Sequence, residues 1–584
     1  MKTFFKIFLA SFLALIVFTV ISVIILLYII GNAGPGRPLT GLKGILVLNL
    51  GVTYNEQEKS NPLNDITGEV NSDVPGLYDV VRMLHYAKSD TAIKGLYIKA
   101  GDNMNGFATS EELRQAVLDF KQSKKFVIAY GEVFSQKDYY VACAADKIYC
   151  NPQGGVEWAG FSAKLYFVKG LLDNLGIEPE IFYAGKFKSA TEPFRVTQMT
   201  DANRLQTTVW LNDLYSNFLQ QASAARNIDT AQLHKWANEG AIQTAGDALT
   251  HNLVDGLLYD DEVQAGLLRH IGRKQDDDIN FVSLGRYAKA VDFARDGDDK
   301  IAVIYAQGDI VGGEGKDDEI GSETFVKLLR KARLDKETKA IVFRVNSPGG
   351  SSIASDEIWR EITLAKKVKP VVISMGDYAA SGGYYISCNG DSIFTNRNTI
   401  TGSIGVFSMM VNMQAFFKNK LGITFDGVKT APYADMGSID RPLTAQEKIF
   451  MQASVDTIYH NFTVRVAAGR NKGIVYIDSI AQGHVWTGQR AIGLGLADRI
   501  GTLQDAVDCA ARMAKTTNYY VKEFPETKFS LQEIIRKTFA NAVQVNAIKE
   551  QVGDKQYKLL MQAKKVQDML NTTQTRLPFD YEIR

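Results

Sequence analysis

Lys339-Ala-Ile-Val-Phe-Arg-Val-Asn-Ser-Pro-Gly-Gly350 reads as a buried β-strand that stops on a pair of glycines, and the chain contains this segment twice. Lys94-Gly-Leu-Tyr-Ile-Lys-Ala-Gly-Asp-Asn-Met-Asn105 is its counterpart, 245 residues earlier (339 − 94). The offset holds without a gap from 94–160 to 339–405, through Glu112/Glu357, Gly131/Gly376, Tyr139/Tyr384, Tyr140/Tyr385, Cys143/Cys388, Asp146/Asp391 and Asn151/Asn396. Within the second copy, Ala340–Val345 reads as a strand, Ser355–Lys366 has helical spacing and Val371–Met375 reads as the next strand. Strand–helix–strand alternation in both copies predicts an α/β fold with a largely parallel sheet.

The copies differ where chemistry would sit. The second has Ser347-Pro-Gly-Gly350 and Ala380-Ser-Gly-Gly383, where the first has Asp102-Asn-Met-Asn105 and Ser135-Gln-Lys-Asp138. Farther on the asymmetry reverses: the first copy reads Phe187-Lys-Ser189 and the second Tyr433-Ala-Asp435. A serine retained in one copy and a lysine in the other point to a nucleophile and a base meeting where the copies touch.

Ser381 lies six residues after the predicted strand, in a turn of small residues that opens an apolar stretch. The start of a helix offers free N–H groups and a favourable dipole for developing negative charge. Gly382 lets a backbone approach closely, and Gly349-Gly350 ends the neighbouring strand at the same edge of the sheet, where α/β sites gather. The amides of Gly350 and Gly382 are therefore the expected oxyanion hole.

A serine hydroxyl needs a base. The six histidines lie in no comparable motif, His484 near Trp486 being the alternative among them. Lysine serves only when burial lowers its pKa toward neutrality. Lys188 sits among Phe182, Tyr183, Phe187, Pro193 and Phe194, which can supply that desolvation. Ser403, in Thr401-Gly-Ser-Ile-Gly405, is either a partner that orients the lysine or a plain turn serine.

Composition is ordinary for globular domains, 46% hydrophobic and 22% charged, and a net charge of +1 gives no reason to expect nucleic acid as a partner. The four cysteines show no metal spacing, Cys143 and Cys388 reading as small buried side chains; neither a metal nor a cofactor is expected. Ile7–Ile30 is an uncharged apolar run of 24 residues. As a helix it would reach about 36 Å, enough to cross a hydrocarbon core of about 30 Å. It is longer than the core of a signal peptide and has no clear small-x-small cleavage site after it, so a retained anchor is expected. Lys2 and Lys6 before it, against Arg37 and Lys43 after it, orient it only through the free amino terminus, which places the N-terminus in the cytoplasm and the bulk outside.

The expected division is an anchor at 1–30, a linker at 31–44 containing Gly31-Asn-Ala-Gly-Pro-Gly36, a lysine-bearing repeat domain at 45–285, a serine-bearing repeat domain at 300–520, and a C-terminal extension at 521–584. Helical spacing (Leu531, Ile534, Ile535, Phe539) in the extension leaves open whether it braces an oligomer or stays mobile.

Five motifs in order carry a family resemblance: Gly185-Lys-Phe-Lys-Ser-Ala-Thr-Glu-Pro-Phe194, Asn346-Ser-Pro-Gly-Gly-Ser351, Ala379-Ala-Ser-Gly-Gly-Tyr-Tyr385, Thr401-Gly-Ser-Ile-Gly405 and Gly483-His-Val-Trp-Thr-Gly488. The chain resembles the S49 family of serine proteases, in the long, two-repeat form of the bacterial signal peptide peptidase A group. The resemblance runs from the anchor to about residue 520. It implies tandem Clp-protease/crotonase-like domains and a Ser/Lys dyad at Ser381 and Lys188. It also implies a bowl-shaped homotetramer at the extracytoplasmic (periplasmic) face of a bacterial inner membrane, degrading signal-peptide remnants and similar apolar peptides. In a ring of four chains, junctions pairing Lys188 with Ser381 would alternate with inert ones pairing Gln136 with Ala434. Two other readings compete: a crotonase-like acyl-CoA enzyme, which uses paired backbone N–H groups without a nucleophilic serine, and a non-catalytic membrane scaffold.

Overall fold

The computed structural model describes residues 2–32, 40–58, 74–274, 277–526, 573–577 and 582–583. The glycine-rich linker falls mostly outside these residues, and the helical pattern expected over 530–571 falls wholly outside them. The N-terminal apolar run forms the helix Lys2–Asn32. Among the described residues no helix is long and apolar enough to cross a membrane. Beyond Phe18 only Ile21 of that run has a described side chain.

In copy one, the buried runs predicted as strands form β1 (Gly44–Asn49), β2 (Ile93–Lys99), β3 (Phe126–Phe134) and β4 (Lys147–Val156). The short β5 (Ala163–Lys164), then β6 (Glu178–Ala184), β7 (Gly256–Leu257) and β8 (Phe281–Ser283) complete it. Six of these build one parallel sheet, in the order β7-β4-β3-β2-β1-β8. Copy two repeats the plan. It begins with β9 (Asp299–Gln307), β10 (Asp309–Val311), β11 (Glu319–Gly321), β12 (Thr338–Ser347) and β13 (Gly349–Ser351). It continues with β14 (Val371–Ala380), β15 (Ser392–Thr395), β16 (Ile400–Gly402) and β17 (Val406–Asn412), then β18 (Val485–Thr487), β19 (Arg499–Ile500) and β20 (Tyr519–Phe524). Its main sheet runs β18-β16-β14-β12-β9-β20, with β15 pairing to β14 and β19 to β15. From the C-terminal extension come β21 (Thr573–Arg576) and β22 (Glu582–Ile583), the latter pairing with β5.

A third sheet joins the copies. Its order is β11-β10-β13-β21-β17-β6, so the copy-one strand β6 is hydrogen-bonded along its whole length to β17 of copy two. Polar contacts lock the two bodies at a second place. Arg344 of β12 is fully buried; its Nε donates to Glu56 (2.8 Å) and its Nη2 to Glu112 (2.7 Å), both in copy one. Removing one member of such a buried ion pair typically costs about 3–5 kcal/mol, because the other charge is left without water or partner. Asp377 accepts from the amide (2.9 Å) and the hydroxyl (2.6 Å) of Thr109, capping the copy-one helix Phe107–Lys121, whose own N-cap Gly106 has no side chain to do so.

This contact explains a difference from the sequence expectation. β14 does not stop at Met375 but runs to Ala380. It pairs first with β15 through residues 372–374 and then with β16 through 378–380. Asp377 breaks the apolar pattern midway because it faces the other copy rather than solvent. Ser381 therefore follows the strand directly.

Candidate active site

The strand β14 delivers Ser381 to the cap position of the short helix Gly382–Ser387 with φ 54° and ψ −112°. A non-glycine residue there is strained by about 1–3 kcal/mol, and the surroundings must hold it. Two backbone bonds do: the Ser381 amide donates to Gly402 O (2.8 Å), and the Tyr385 amide donates to Ser381 O (2.8 Å). The side chain is buried, and Lys188 Nζ lies 2.8 Å from its Oγ in a hydrogen bond.

Lys188 reaches this place from the end of β6, across the boundary between the copies. It is 1% exposed. Its remaining polar contacts are Ser403 Oγ at 3.2 Å and Ser403 O at 3.4 Å. No carboxylate is among these contacts, and burial alone pushes the amine well below the ordinary lysine pKa. A neutral amine at hydrogen-bond distance from a hydroxyl can take its proton.

The lysine is seated by backbone that only glycine allows. A Cβ on Gly483, at φ 75°, would lie 2.6–2.8 Å from the Lys188 backbone and Cβ. The Phe187 amide donates to Gln482 O (2.7 Å), and Gln206 Nε2 donates to Phe187 O (2.9 Å), so the segment is held on both sides. Gln206 was not singled out in the sequence; its role comes from the long helix Asp201–Arg226, whose local pattern says nothing of what it faces.

Ser403 takes φ 49°, and its amide donates to His484 O (2.7 Å), which aims its hydroxyl at the lysine. The His484 ring does other work. It stacks on Trp486 (centroids 3.7 Å apart, planes within 7°), packs against Phe187 at 4.4 Å, and its Nδ1 lies 2.8 Å from Val485 O. Burial lowers its pKa. The lysine, not the histidine, is the group in contact with Ser381.

The glycines stand opposite. Gly349 has φ 106°, and a Cβ there would lie 2.8 Å from the Gly382 amide nitrogen, so the two glycine clusters meet at one point. That point is filled by the chain itself. β21 lies between β13 and β17, antiparallel to both, with Gly350 opposite Thr575 and Gly349 opposite Arg576. The Thr575 carbonyl oxygen is 2.1 Å from the Cβ position on Gly349 and 3.0 Å from that on Gly382. Thr575 Oγ1 donates to Gly350 O (3.1 Å), and the Leu577 amide donates to Pro348 O (2.8 Å). An extended peptide segment thus occupies the groove beside Ser381 with a carbonyl at the paired glycines.

The equivalent place in copy one is closed. Gln136 stands where Ser381 does and exchanges two hydrogen bonds with Gly160, the counterpart of Gly405: Nε2 donates to O (2.9 Å) and Oε1 accepts from N (3.0 Å). Lys137 replaces Gly382 and donates to Asn105 O (3.2 Å). Ala434, the counterpart of Lys188, is exposed in a turn.

Comparison with known proteins gives the family. The family described as Peptidase family S49 matches residues 119–274 and 363–517, one stretch in each copy. The Clp protease family matches 294–401. The chain is 37% identical over 463 residues to Protease 4 of Salmonella typhi, covering 77% of this chain and 74% of the relative. It is 33% identical over 514 residues to Protease 4 of Haemophilus influenzae, covering 84% and 83%. It is 32% identical to the chloroplastic serine protease SPPA of Arabidopsis thaliana over 438 residues, 73% of this chain and 64% of the relative. The chain is a serine protease built from tandem Clp-protease-like domains. It belongs to peptidase family S49.

The buried amine has a consequence for stability. A lysine whose pKa is lowered in the folded state binds fewer protons there than in the unfolded chain, so folding is penalised below the ordinary lysine pKa of about 10.4 and the penalty fades as pH rises toward it. Lys188→Met is therefore expected to raise the thermal midpoint at pH 7, with a gain that shrinks as pH approaches 10. Equal midpoints at both pH values would show that the amine is not buried at a cost.

Proposed function

We propose that this chain is a membrane-anchored endopeptidase in which Ser381 is the nucleophile and Lys188 the general base, degrading cleaved signal peptides and similar apolar peptides. The observation that carries the reading is the 2.8 Å contact between a fully buried, depressed-pKa amine and the hydroxyl of a strained serine. In acylation, Ser381 Oγ attacks the scissile carbonyl carbon while its proton passes to Lys188 Nζ. The carbonyl oxygen becomes an oxyanion held by the Gly350 and Gly382 amides. As the C–N bond breaks, Lys188 returns the proton to the leaving amine. Water then attacks the acyl-serine, giving its proton to Lys188. As the ester C–O bond breaks, Lys188 passes that proton to Ser381 Oγ, restoring the hydroxyl and the neutral amine as the second product leaves. Ser403 orients the lysine throughout, with two contacts and no charge that would hold the ammonium form.

The anchor reading rests on the uncharged run Ile7–Ile30 within the helix Lys2–Asn32, and with it we place the two repeat domains on the extracytoplasmic face of a bacterial inner membrane. Assembly as a homotetramer is supported by an unequal pair of segments. Residues 177–189 correspond to 423–435, an offset of 246 (423 − 177). In copy one they supply β6, which pairs with the other copy; in copy two, 422–429 form no regular element and expose Phe425 and Val428. We take a neighbouring chain as the surface that covers them.

Ser381→Ala and Lys188→Ala should each reduce peptide hydrolysis at least about 1000-fold, and Lys188→Arg should be as inactive, because a guanidinium keeps its proton. Co-expressed Ser381→Ala and Lys188→Ala chains should stay inactive together, since lysine and serine meet within one chain; recovered hydrolysis would mean that the pair forms between chains. For location and assembly, protease added outside spheroplasts should digest residues 45–584, and the detergent-solubilised protein should have the mass of four chains. Full protection by the inner membrane, or a monomer mass, would contradict these two assignments.

A further inference from the structure

The strand that fills the groove also shows what the groove holds beyond the bond at the paired glycines. Side chains alternate along a strand, so Thr573, Thr575 and Leu577 share one face and Gln574 and Arg576 the other. Arg576 reaches Asp309 at 2.8 Å. Leu577, two residues past the carbonyl at Gly349 and Gly382, is 5% exposed. It packs in an apolar cluster with Phe107, Trp210 and Leu214 of copy one and Ala380, Ile400 and Val485 of copy two. The pocket thus needs both copies, and it lies beside Ser381 because Ala380 is one of its walls. Its backbone frame is that of a bound peptide, since the Leu577 amide is hydrogen-bonded to Pro348 O (2.8 Å).

We propose that this cluster is a specificity pocket on the leaving-group side, which selects peptides carrying an aliphatic residue two positions after the cleaved bond, with Leu577 as its resident occupant. The assignment rests on Ser381 as the nucleophile and on Thr575 standing at the place of the residue whose carbonyl is attacked. Apart from the indole N–H of Trp210, the wall side chains named above carry no polar atom, so an asparagine or aspartate in the pocket would surrender most of its water unreplaced. One position discriminated by apolar burial is worth about tenfold or more in rate.

The test uses the full chain and the peptides Thr-Gln-Thr-Arg-X-Pro-Phe, extended and internally quenched, with X as Leu, Ile, Ala, Asn or Asp. Cleavage between Thr and Arg is expected, with kcat/KM for Leu and Ile at least about tenfold above Asn and Asp. Trp210→Ala should flatten that series. Leu577→Asp, a change confined to the occupying strand, should leave the series intact and lower KM for every peptide. A flat series in the parent chain, or cleavage that places X at another distance from the cut, overturns the proposal. Binding of the same labelled peptides to the Ser381→Ala, Leu577→Asp chain reads the pocket without turnover. There the Leu peptide should bind at least about tenfold more tightly than the Asn peptide, and equal binding also overturns the proposal. Selective binding together with an absence of hydrolysis by the parent chain would instead remove the catalytic reading and leave the pocket standing.

Discussion

As the proposed base for Ser381, Lys188 must be kept without charge and without water, and much of the architecture around their contact meets that requirement. A protonated lysine would hold the serine hydroxyl as an acceptor and could not remove its proton. The protein excludes the charge by burial rather than by a neighbouring cation: the lysine's remaining partners are the hydroxyl and carbonyl of Ser403. Such a site must be closed on all sides, and neither copy closes it alone. Copy one brings the lysine on the segment after β6; copy two surrounds it with the loop of Ser403, Gly405 and Gly483.

Duplication makes this division possible. Two copies of one fold give two equivalent places for a nucleophile, and only one has to work. At the other, Gln136 satisfies itself against Gly160 and Lys137 stands at the position equivalent to Gly382, so that place is a filled polar contact. The β6–β17 ladder, the cap that Asp377 places on the helix Phe107–Lys121 and the Arg344 ion pairs fix the copies in register. A shift of an ångström between them would part the amine from the hydroxyl. The same boundary builds the apolar cluster around Leu577, so the proposed dyad and the proposed pocket share one interface.

Much of this was legible in the sequence because the repeat supplied an internal control. Aligning the copies isolated Ser381, Lys188 and the glycine pairs as departures from a shared background, and the strand and helix assignments followed from local apolar periodicity. What local pattern could not carry was contact between distant elements. Asp377 interrupts an apolar run, yet it lies within a strand because its partner Thr109 is 268 residues away. Gly483 appeared in a motif without a reason, which is the van der Waals contact with Lys188. The strand Thr573–Arg576 follows a charged, helix-like stretch, and nothing in its four residues announces the groove; only its threonines, suited to extended backbone, hinted at a strand.

The central claim is that a neutral, buried Lys188 activates Ser381, and its most direct test is the pH dependence of Ser381 labelling by a fluorophosphonate. The account predicts a labelling rate that rises through a single ionisation below the ordinary lysine range, persists in His484→Ala and disappears in Lys188→Met. A rate governed by a group near pH 6.5 that is lost in His484→Ala and kept in Lys188→Met would contradict it.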